Sequence, residues 1–211
     1  MKRIVLTILL GLITVVAVWY GFNPIAKTHE QISSDLPLLT SATVFPIPQA
    51  IANFSLTDTA EKPFTENDLV GHWTLLFFGY AHCPETCPKT LAIARDFWKN
   101  LPGLTQNKTR FVFITLDPKE DNVDDLKSFL GRFSTEFIGL TGADSEINKL
   151  AQSCRVYRFE ETPNAKGQKI IDHTAAFILV NPEGRIQALF SPPHDSSAIA
   201  KDLATLMLQR L

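Results

Sequence analysis

The stretch that decides the fold is residues 72–91, HWTLLFFGYAHCPETCPKTL, in which an apolar run leads into two cysteines. Residues 72–80 have strand length and no polar alternation, which is typical of a strand buried on both faces of a sheet. Beyond the cysteines, apolar residues recur at helical spacing. The sequence therefore predicts a buried strand followed by a helix. Cys83 and Cys87 lie near the carboxyl end of that strand, where open α/β sheets place their sites.

The remainder of the domain repeats this alternation of apolar strands and amphipathic helices. Further buried strands are predicted at RFVFITL (110–116) and AAFILVN (175–181), with an amphipathic helix at 123–133 and a last helix over about 195–210. Residues 51–71 predict a short two-stranded opening segment, with TDTAEK as its turn. A β-α-β unit followed by a β-β-α unit predicts an α/β thioredoxin-like sandwich with an added N-terminal β-hairpin.

The N-terminus differs from the rest of the chain. Lys2 and Arg3 precede the uncharged run Ile4–Phe22, whose length approaches the roughly 20 residues that a transmembrane helix needs. A cleaved signal peptide has a shorter apolar region, about 7–15 residues, so a single transmembrane helix at 1–22 is predicted as a membrane anchor. Because positive charges stay in the cytoplasm, we expect a single-pass inner-membrane protein whose C-terminal domain lies in the periplasm.

The segment between the anchor and the domain, residues 23–50, carries four prolines and no sustained periodicity. It is predicted to be a flexible linker, and residues 51–211 are predicted to be the folded domain. The net charge of −2 gives no basic excess, so nucleic acid is not expected as a partner. The exported domain is expected to be a monomer.

The three cysteines are too few for a disulfide-stapled scaffold and divide into one pair and one further thiol. Residues four apart in a helical turn have Cα atoms about 6 Å apart, within the range of about 4.4–6.8 Å that a disulfide tolerates. The same geometry lets two thiolates bind one metal ion. Spacing alone therefore leaves a redox dithiol and half of a metal site open. Cys154 falls on an apolar helix face and is interpreted as a small buried hydrophobe.

A third group near the cysteines decides between these chemistries, and the five histidines are the candidates. His173 immediately precedes a buried strand, where thioredoxin topology places the loop that faces the dithiol. Two thiolates and an imidazole suit copper, especially Cu(I), although zinc binds the same atoms. His82 adjoins Cys83, but adjacent side chains rarely converge on one ion, so it is the weaker candidate. The others are predicted in the linker, at the opposite end of the first buried strand and in a polar loop: His29, His72 and His194.

Four segments in order, FFGYAHCPETCP, TLDPKEDNVDDLKSFL, FIGLTG and DHTAAFILVNPEGRI, resemble the Sco/SenC family of membrane-anchored copper proteins over roughly residues 50–211. The resemblance implies one copper ion, Cu(I) or Cu(II), bound by Cys83, Cys87 and His173. It also implies a role in assembly of the CuA site of cytochrome c oxidase. Proteins of this kind deliver copper, or reduce the disulfide of the cysteines that receive it. The implied acceptor is cytochrome c oxidase subunit II or another cuproprotein.

A metal-free thiol–disulfide reductase, in which Cys83 attacks and Cys87 resolves, stays open as the alternative function. The primary expectation is a metallochaperone, with reductase activity of the same dithiol as an addition. A peroxidase of peroxiredoxin type is disfavoured because YAHCPETC lacks the Pro-x-x-x-Thr lead-in. Asp117, in TLDP, falls at a strand end in the family's pattern and is expected to border the site. The histidine at His82 is a usual feature of the family that is not taken as a ligand.

Overall fold

The structure, a computed structural model, describes residues 39–164, 167 and 169–208. The predicted membrane anchor at 1–22 and most of the predicted linker lie outside these residues. Within the described part of the chain, no helix has the length and apolarity that a membrane span requires.

The described residues form one eight-stranded sheet, one separate two-stranded sheet and the helices around them. In this part of the chain there are ten strands, in order: β1 (Ala42–Ala50), β2 (Ser55–Asp58), β3 (Pro63–Thr65), β4 (Trp73–Gly79), β5 (Thr109–Thr115), β6 (Ile138–Thr141), β7 (Arg158–Pro163), β8 (Lys169–His173), β9 (Phe177–Val180) and β10 (Arg185–Phe190). The helices are α1 (Thr86–Asn100), α2 (Gly103–Gln106), α3 (Val123–Gly131), α4 (Asp144–Ser153) and α5 (Ser196–Leu208), with a 3-10 helix at Glu66–Leu69.

The large sheet has the strand order β1-β10-β9-β4-β5-β6-β2-β3, in which β4–β5 and β5–β6 are parallel and the other pairs antiparallel. The units β4-α1-β5 and β9-β10-α5 are the predicted β-α-β and β-β-α units of a thioredoxin-like sandwich. The β2–β3 hairpin is the predicted N-terminal addition. Strand β4 occupies the middle of the sheet and all seven of its residues are buried, which explains its continuous apolar sequence.

An aromatic cluster packs between the central strands and α1. The ring of Phe177 on β9 lies 5.3 Å from that of Phe77 on β4, 5.8 Å from that of Phe97 on α1 and 6.0 Å from that of Phe111 on β5, measured between centroids. All four side chains are fully buried. Packing of this kind fixes the carboxyl end of β4, which leads to the cysteines.

The structure corrects the boundary of the predicted linker. Ala42–Ala50, the end of the segment predicted as linker at 23–50, forms edge strand β1 and pairs antiparallel with β10. The pairing shifts register between Val44 and Gln49, and the segment between them contains two prolines. Prolines are tolerated in an edge strand because its backbone N–H groups donate to only one neighbouring strand. The register shift also removes the alternation of apolar and polar residues by which a strand is recognised in a sequence.

A buried carboxylate fixes the chain where it enters β1. Asp202 on α5 is only 1% exposed and accepts hydrogen bonds from the backbone N–H groups of Thr40, Ser41 and Ala42 at 2.7–3.2 Å. The hydroxyl groups of Thr40 and Ser41 donate to the same carboxylate at 3.3 and 2.9 Å. Residues 40–42 are therefore part of the folded domain, joined to the last helix.

Candidate metal centre

The helix that contains Cys87 begins at Thr86, which leaves Pro84 in the loop before it and Pro88 in its first turn. Glu85 is the N-cap, so Cys87 and Pro88 are the second and third residues of α1. The first backbone N–H groups of a helix have no partner within the helix, so the missing N–H of Pro88 costs nothing there. Cys83 consequently lies in the loop, and Cys87 lies in the first helical turn.

The two cysteines face each other across this turn as free thiols. The backbone N–H of Cys87 donates to Cys83 Sγ at 3.3 Å. The side chain of Cys87 is fully buried, whereas Cys83 keeps 8% of its surface exposed. Cys83, the less deeply buried thiol, and Cys87, the fully buried one, thus correspond to the positions of an attacking and a resolving thiol.

The structure brings His173 to the dithiol, with its Nε2 3.8 Å from Cys87 Sγ. The other ring nitrogen, Nδ1, lies 3.1 Å from the carbonyl oxygen of Thr174, which can only accept, so Nδ1 carries the proton and donates. The lone pair of Nε2 then faces Cys87. Burial lowers the pKa of His173 and outweighs the hydrogen bond to Thr174, so the imidazole is neutral at pH 7. Neutral imidazole is the form that binds metals.

The distance between Cys87 Sγ and His173 Nε2 suits two atoms that bind the same metal ion. A metal about 2.3 Å from sulfur and about 2.0–2.1 Å from nitrogen holds the two atoms roughly 3.5–3.8 Å apart. Two sulfurs and one imidazole nitrogen are a soft donor set, which favours Cu(I) over hard cations. Among the described residues, however, no group of three or more His, Cys, Asp or Glu side chains is already gathered closely enough to hold a metal ion.

The thiols differ strongly in acidity. Hydrogen bonding from Cys87 is the main cause that lowers the pKa of Cys83 to about 5, helped by backbone N–H groups of Cys87 and Glu85 and opposed by burial. The hydrogen bond to Cys83 and burial raise the pKa of Cys87 far above its usual range. At neutral pH the pair therefore holds one thiolate, on Cys83, and one thiol, on Cys87.

This difference predicts selective alkylation. We expect iodoacetamide to modify Cys83 at least about tenfold faster than Cys87 or Cys154 at pH 7, since the thiolate is the nucleophile. Burial raises the pKa of Cys154 to about 12, which makes that thiol inert. The rate at Cys83 should stay level down to pH 6 and fall as the pH drops through about 5. Peptide mass spectrometry of the reduced full-length protein measures the three rates, and a midpoint near the ordinary thiol pKa would contradict the assignment.

Asp121 is a buried residue of the site that the sequence did not reveal. Its carboxylate accepts hydrogen bonds from the backbone N–H of Ala81 at 2.8 Å and the hydroxyl of Thr115 at 2.6 Å, and lies 3.2 Å from His82 Nδ1. These contacts fix the turn that leads to Cys83. The only sign of Asp121 in the sequence is its position shortly after TLDP, where several other acidic residues also occur.

The remaining predicted residues lie at different distances from the dithiol. Asp117 is buried and forms an ion pair at 2.8 Å with Nζ of Lys169, the first residue of β8. The imidazole of His82 is directed to Asp121, with a side chain that is 64% exposed. Cys154 is buried at the end of α4, as predicted. His72 lies at the opposite end of β4, where it contacts Arg110. His194 packs against the ring of Phe177. His29 lies outside the described residues.

Gly79 lets the end of β4 approach the buried sulfur. A Cβ atom at this position would lie 2.9 Å from Cys87 Sγ and 2.9 Å from the ring of Phe113. Neither neighbour is free to retreat, because both side chains are fully buried. The place of Cys87 therefore requires glycine at residue 79.

An open pocket of about 640 Å³ adjoins the pair. Cys83 and His173 both line it, together with residues from the turn before α1 and from β8. The other lining residues are Tyr80, Pro84, Glu85, Thr86, Asn164, Ile170, Ile171 and Asp172. A metal ion or a reacting thiol has room to reach Cys83 and His173 from this side.

Comparison with known proteins identifies the family of this chain. Residues 47–208, more than half of the chain, match the sequence profile described as SCO1/SenC. The chain belongs to the SCO1/SenC family. The human relative "Protein SCO1 homolog, mitochondrial" is 32% identical over 73% of this chain and 52% of its own length. The chain thus spans about half the length of that SCO1/SenC relative.

Solved SCO1/SenC structures share the fold. Arabidopsis thaliana ScoI with copper bound gives a TM-score of 0.70 at 30% identity, over 75% of this chain and 98% of that one. Bradyrhizobium japonicum ScoI with copper bound gives 0.66 at 34% identity, over 74% and 98%. BsSco, described as a member of the Sco family of cytochrome c oxidase assembly proteins, gives 0.60 at 22% identity, over 80% and 96%, and shows the fold alone.

Proposed function

We propose that this member of the SCO1/SenC family binds one copper ion, as Cu(I) or Cu(II), through Cys83, Cys87 and His173. The observation that carries the proposal is the 3.8 Å separation between Cys87 Sγ and the unprotonated Nε2 of His173. Cys83 supplies a second sulfur that is already a thiolate at neutral pH. Because three ligand groups are not yet gathered around one point, Cys83 completes the set by rotating its side chain away from the Cys87 N–H.

Copper is cargo in this proposal rather than a resident cofactor. Three protein ligands leave room for an incoming thiol, and the open pocket gives that thiol access. The incoming sulfur displaces one protein ligand at a time, so copper moves without release into water. Because this protein and its acceptor both bind copper through soft thiolates, the free energy of transfer between them is small, which suits delivery.

The acceptor that we propose is the CuA site of cytochrome c oxidase subunit II, or another cuproprotein. Membership of the SCO1/SenC family supports this choice, because the resemblance to that family implies a role in assembly of the CuA site. The uncharged run at Ile4–Phe22 supports a single-pass inner-membrane protein whose domain faces the periplasm, acting there as a monomer.

The unequal acidity of the thiols favours thiol–disulfide reduction as a second function of the same pair. The thiolate of Cys83 attacks one sulfur of a substrate disulfide and releases the other as a thiolate. That thiolate takes the proton of Cys87, which then attacks Cys83. This attack releases the remaining substrate sulfur as a thiolate. The products are a Cys83–Cys87 disulfide and a reduced substrate with one thiol and one thiolate, with two electrons transferred. Such a step prepares the cysteines of a copper acceptor.

Removing the histidine separates the two functions. We expect His173→Ala to weaken Cu(I) binding by about 100-fold, about 2.7 kcal/mol, while disulfide reduction continues. Anaerobic titration of the full-length protein against a competing Cu(I) chelator measures the affinity. His72→Ala is the matched control, because His72 Nε2 contacts Arg110 at the other end of β4, and it should leave the affinity unchanged. An unchanged affinity in His173→Ala would leave only the reductase.

A further inference from the structure

His173 lies on the two-stranded sheet formed by β7 and β8. Among the described residues these strands pair only with each other, and His173 is the last residue of β8. The distance from His173 to Cys87 therefore depends on the short connection from His173 to β9 and on side chains that join β7 and β8 to the main body. Two of these side chains form ion pairs. Lys169 pairs with Asp117, in the loop after β5, at 2.8 Å, and Arg158 pairs with Asp144, the first residue of α4, at 3.1 Å.

Tyr80 makes a different connection, directly from the end of the strand that leads to the cysteines. It follows the last residue of β4 and is only 1% exposed. Its hydroxyl oxygen accepts a hydrogen bond from the backbone N–H of Ile171 at 3.2 Å and lies 3.4 Å from the carbonyl oxygen of Lys169. Both partners belong to β8. A single phenol group thus holds the backbone of β8 at a fixed distance from β4.

The ring of Tyr80 also contacts the imidazole. The two ring centroids are 6.4 Å apart with planes at 77°, an edge-on arrangement, and Phe77 contacts the imidazole edge-on from the same strand at 6.3 Å. The Tyr80 phenol also lies close enough to Cys83 to contribute to the lowered pKa of that thiol. Tyr80 is therefore placed between the dithiol and the strand of the histidine.

We propose that Tyr80 is a positioning residue that holds β8, and with it His173, at ligand distance from the dithiol. It does so through the hydrogen bond from the Ile171 N–H and through ring contact with the imidazole, without touching the metal. The expected effect of Tyr80 on copper affinity rests on the proposed function, whereas its positioning of β8 does not. Loss of the hydroxyl should loosen β8 while leaving the aromatic core in place.

The first test uses the metal-free full-length protein and measures amide hydrogen exchange by NMR. In Tyr80→Phe the N–H of Ile171 loses its acceptor, and we expect its exchange to become at least about tenfold faster. Tyr157→Phe is the matched control, since Tyr157 is 60% exposed, and should leave exchange at Ile171 unchanged. An unchanged rate in Tyr80→Phe overturns the proposal, whether or not the protein binds copper.

The second test is a double-mutant cycle on Cu(I) affinity, read by chelator competition. We expect Tyr80→Phe to lower the affinity about tenfold, and His173→Ala to cost at least about tenfold less in the Tyr80→Phe background than in the wild type. Fully additive effects overturn the claim that Tyr80 acts through His173. If wild type and His173→Ala bind copper equally, the proposed function fails, and the exchange experiment still decides the role of Tyr80.

Discussion

Replacing Cys87 by serine is expected to lower the affinity for Cu(I) by about 1000-fold, about 4 kcal/mol. Cys87 is the fully buried thiol and the one that lies at ligand spacing from His173. A serine hydroxyl occupies nearly the same volume, but it is a hard donor and a poor ligand for Cu(I). The effect should exceed that of His173→Ala because the change removes one of only two sulfurs.

Cys154→Ala is the matched control for this variant. Cys154 is equally buried but lies at the end of α4, outside the site, so the affinity should stay within twofold of the wild-type value. Chelator competition gives the affinities, and circular dichroism confirms that both variants are folded. Retention of copper by Cys87→Ser to within about tenfold would remove this thiol from the ligand set.

The second large effect concerns stability. Asp202→Ala is expected to lower the free energy of unfolding by about 3 kcal/mol, since hydrogen bonds to a buried charge contribute about 1.5–3 kcal/mol each and part of this is recovered by water. The change leaves the N–H groups of Thr40, Ser41 and Ala42 without their acceptor. Urea denaturation of the full-length protein measures the loss. Asp124→Ala, an exposed carboxylate on α3, is the control and should change stability by less than about 1 kcal/mol.

The same carboxylate predicts a pH dependence. Burial acts to raise the pKa of Asp202, but hydrogen bonds from Ser41, Thr40 and Ala42 outweigh it and lower the pKa below its usual value. A lowered pKa means that the stabilisation is complete above the unfolded-state pKa of about 3.9 and is lost as the pH falls further. The stability difference between wild type and Asp202→Asn should therefore be constant from pH 7 to 5 and shrink below about pH 4. A constant difference down to pH 2 would contradict this assignment.

The central strands were predictable because burial on both faces leaves a continuous apolar sequence, as in β4 and β5. The edge strand β1 was not, since its register shift and prolines remove any alternation. The dithiol was evident from Cys83 and Cys87, yet its partners depend on contacts between residues far apart in sequence. Asp121 meets Ala81 across 40 residues, and the hydroxyl of Tyr80 meets Ile171 across 91. No local pattern encodes such pairs.

The burial of the two sulfurs restricts which molecules can exchange with them. Cys83 exposes only 8% of its surface and Cys87 none, and Cys83 is reached from a recess rather than from a flat face. A thiol on the smooth surface of a folded domain cannot approach Cys83 without collision between the two backbones. A reaction partner must therefore carry its sulfur on a projecting turn or an extended tail narrow enough to enter the recess. The fold in this way selects its partners by the shape around their cysteine, before any charge or sequence is recognised.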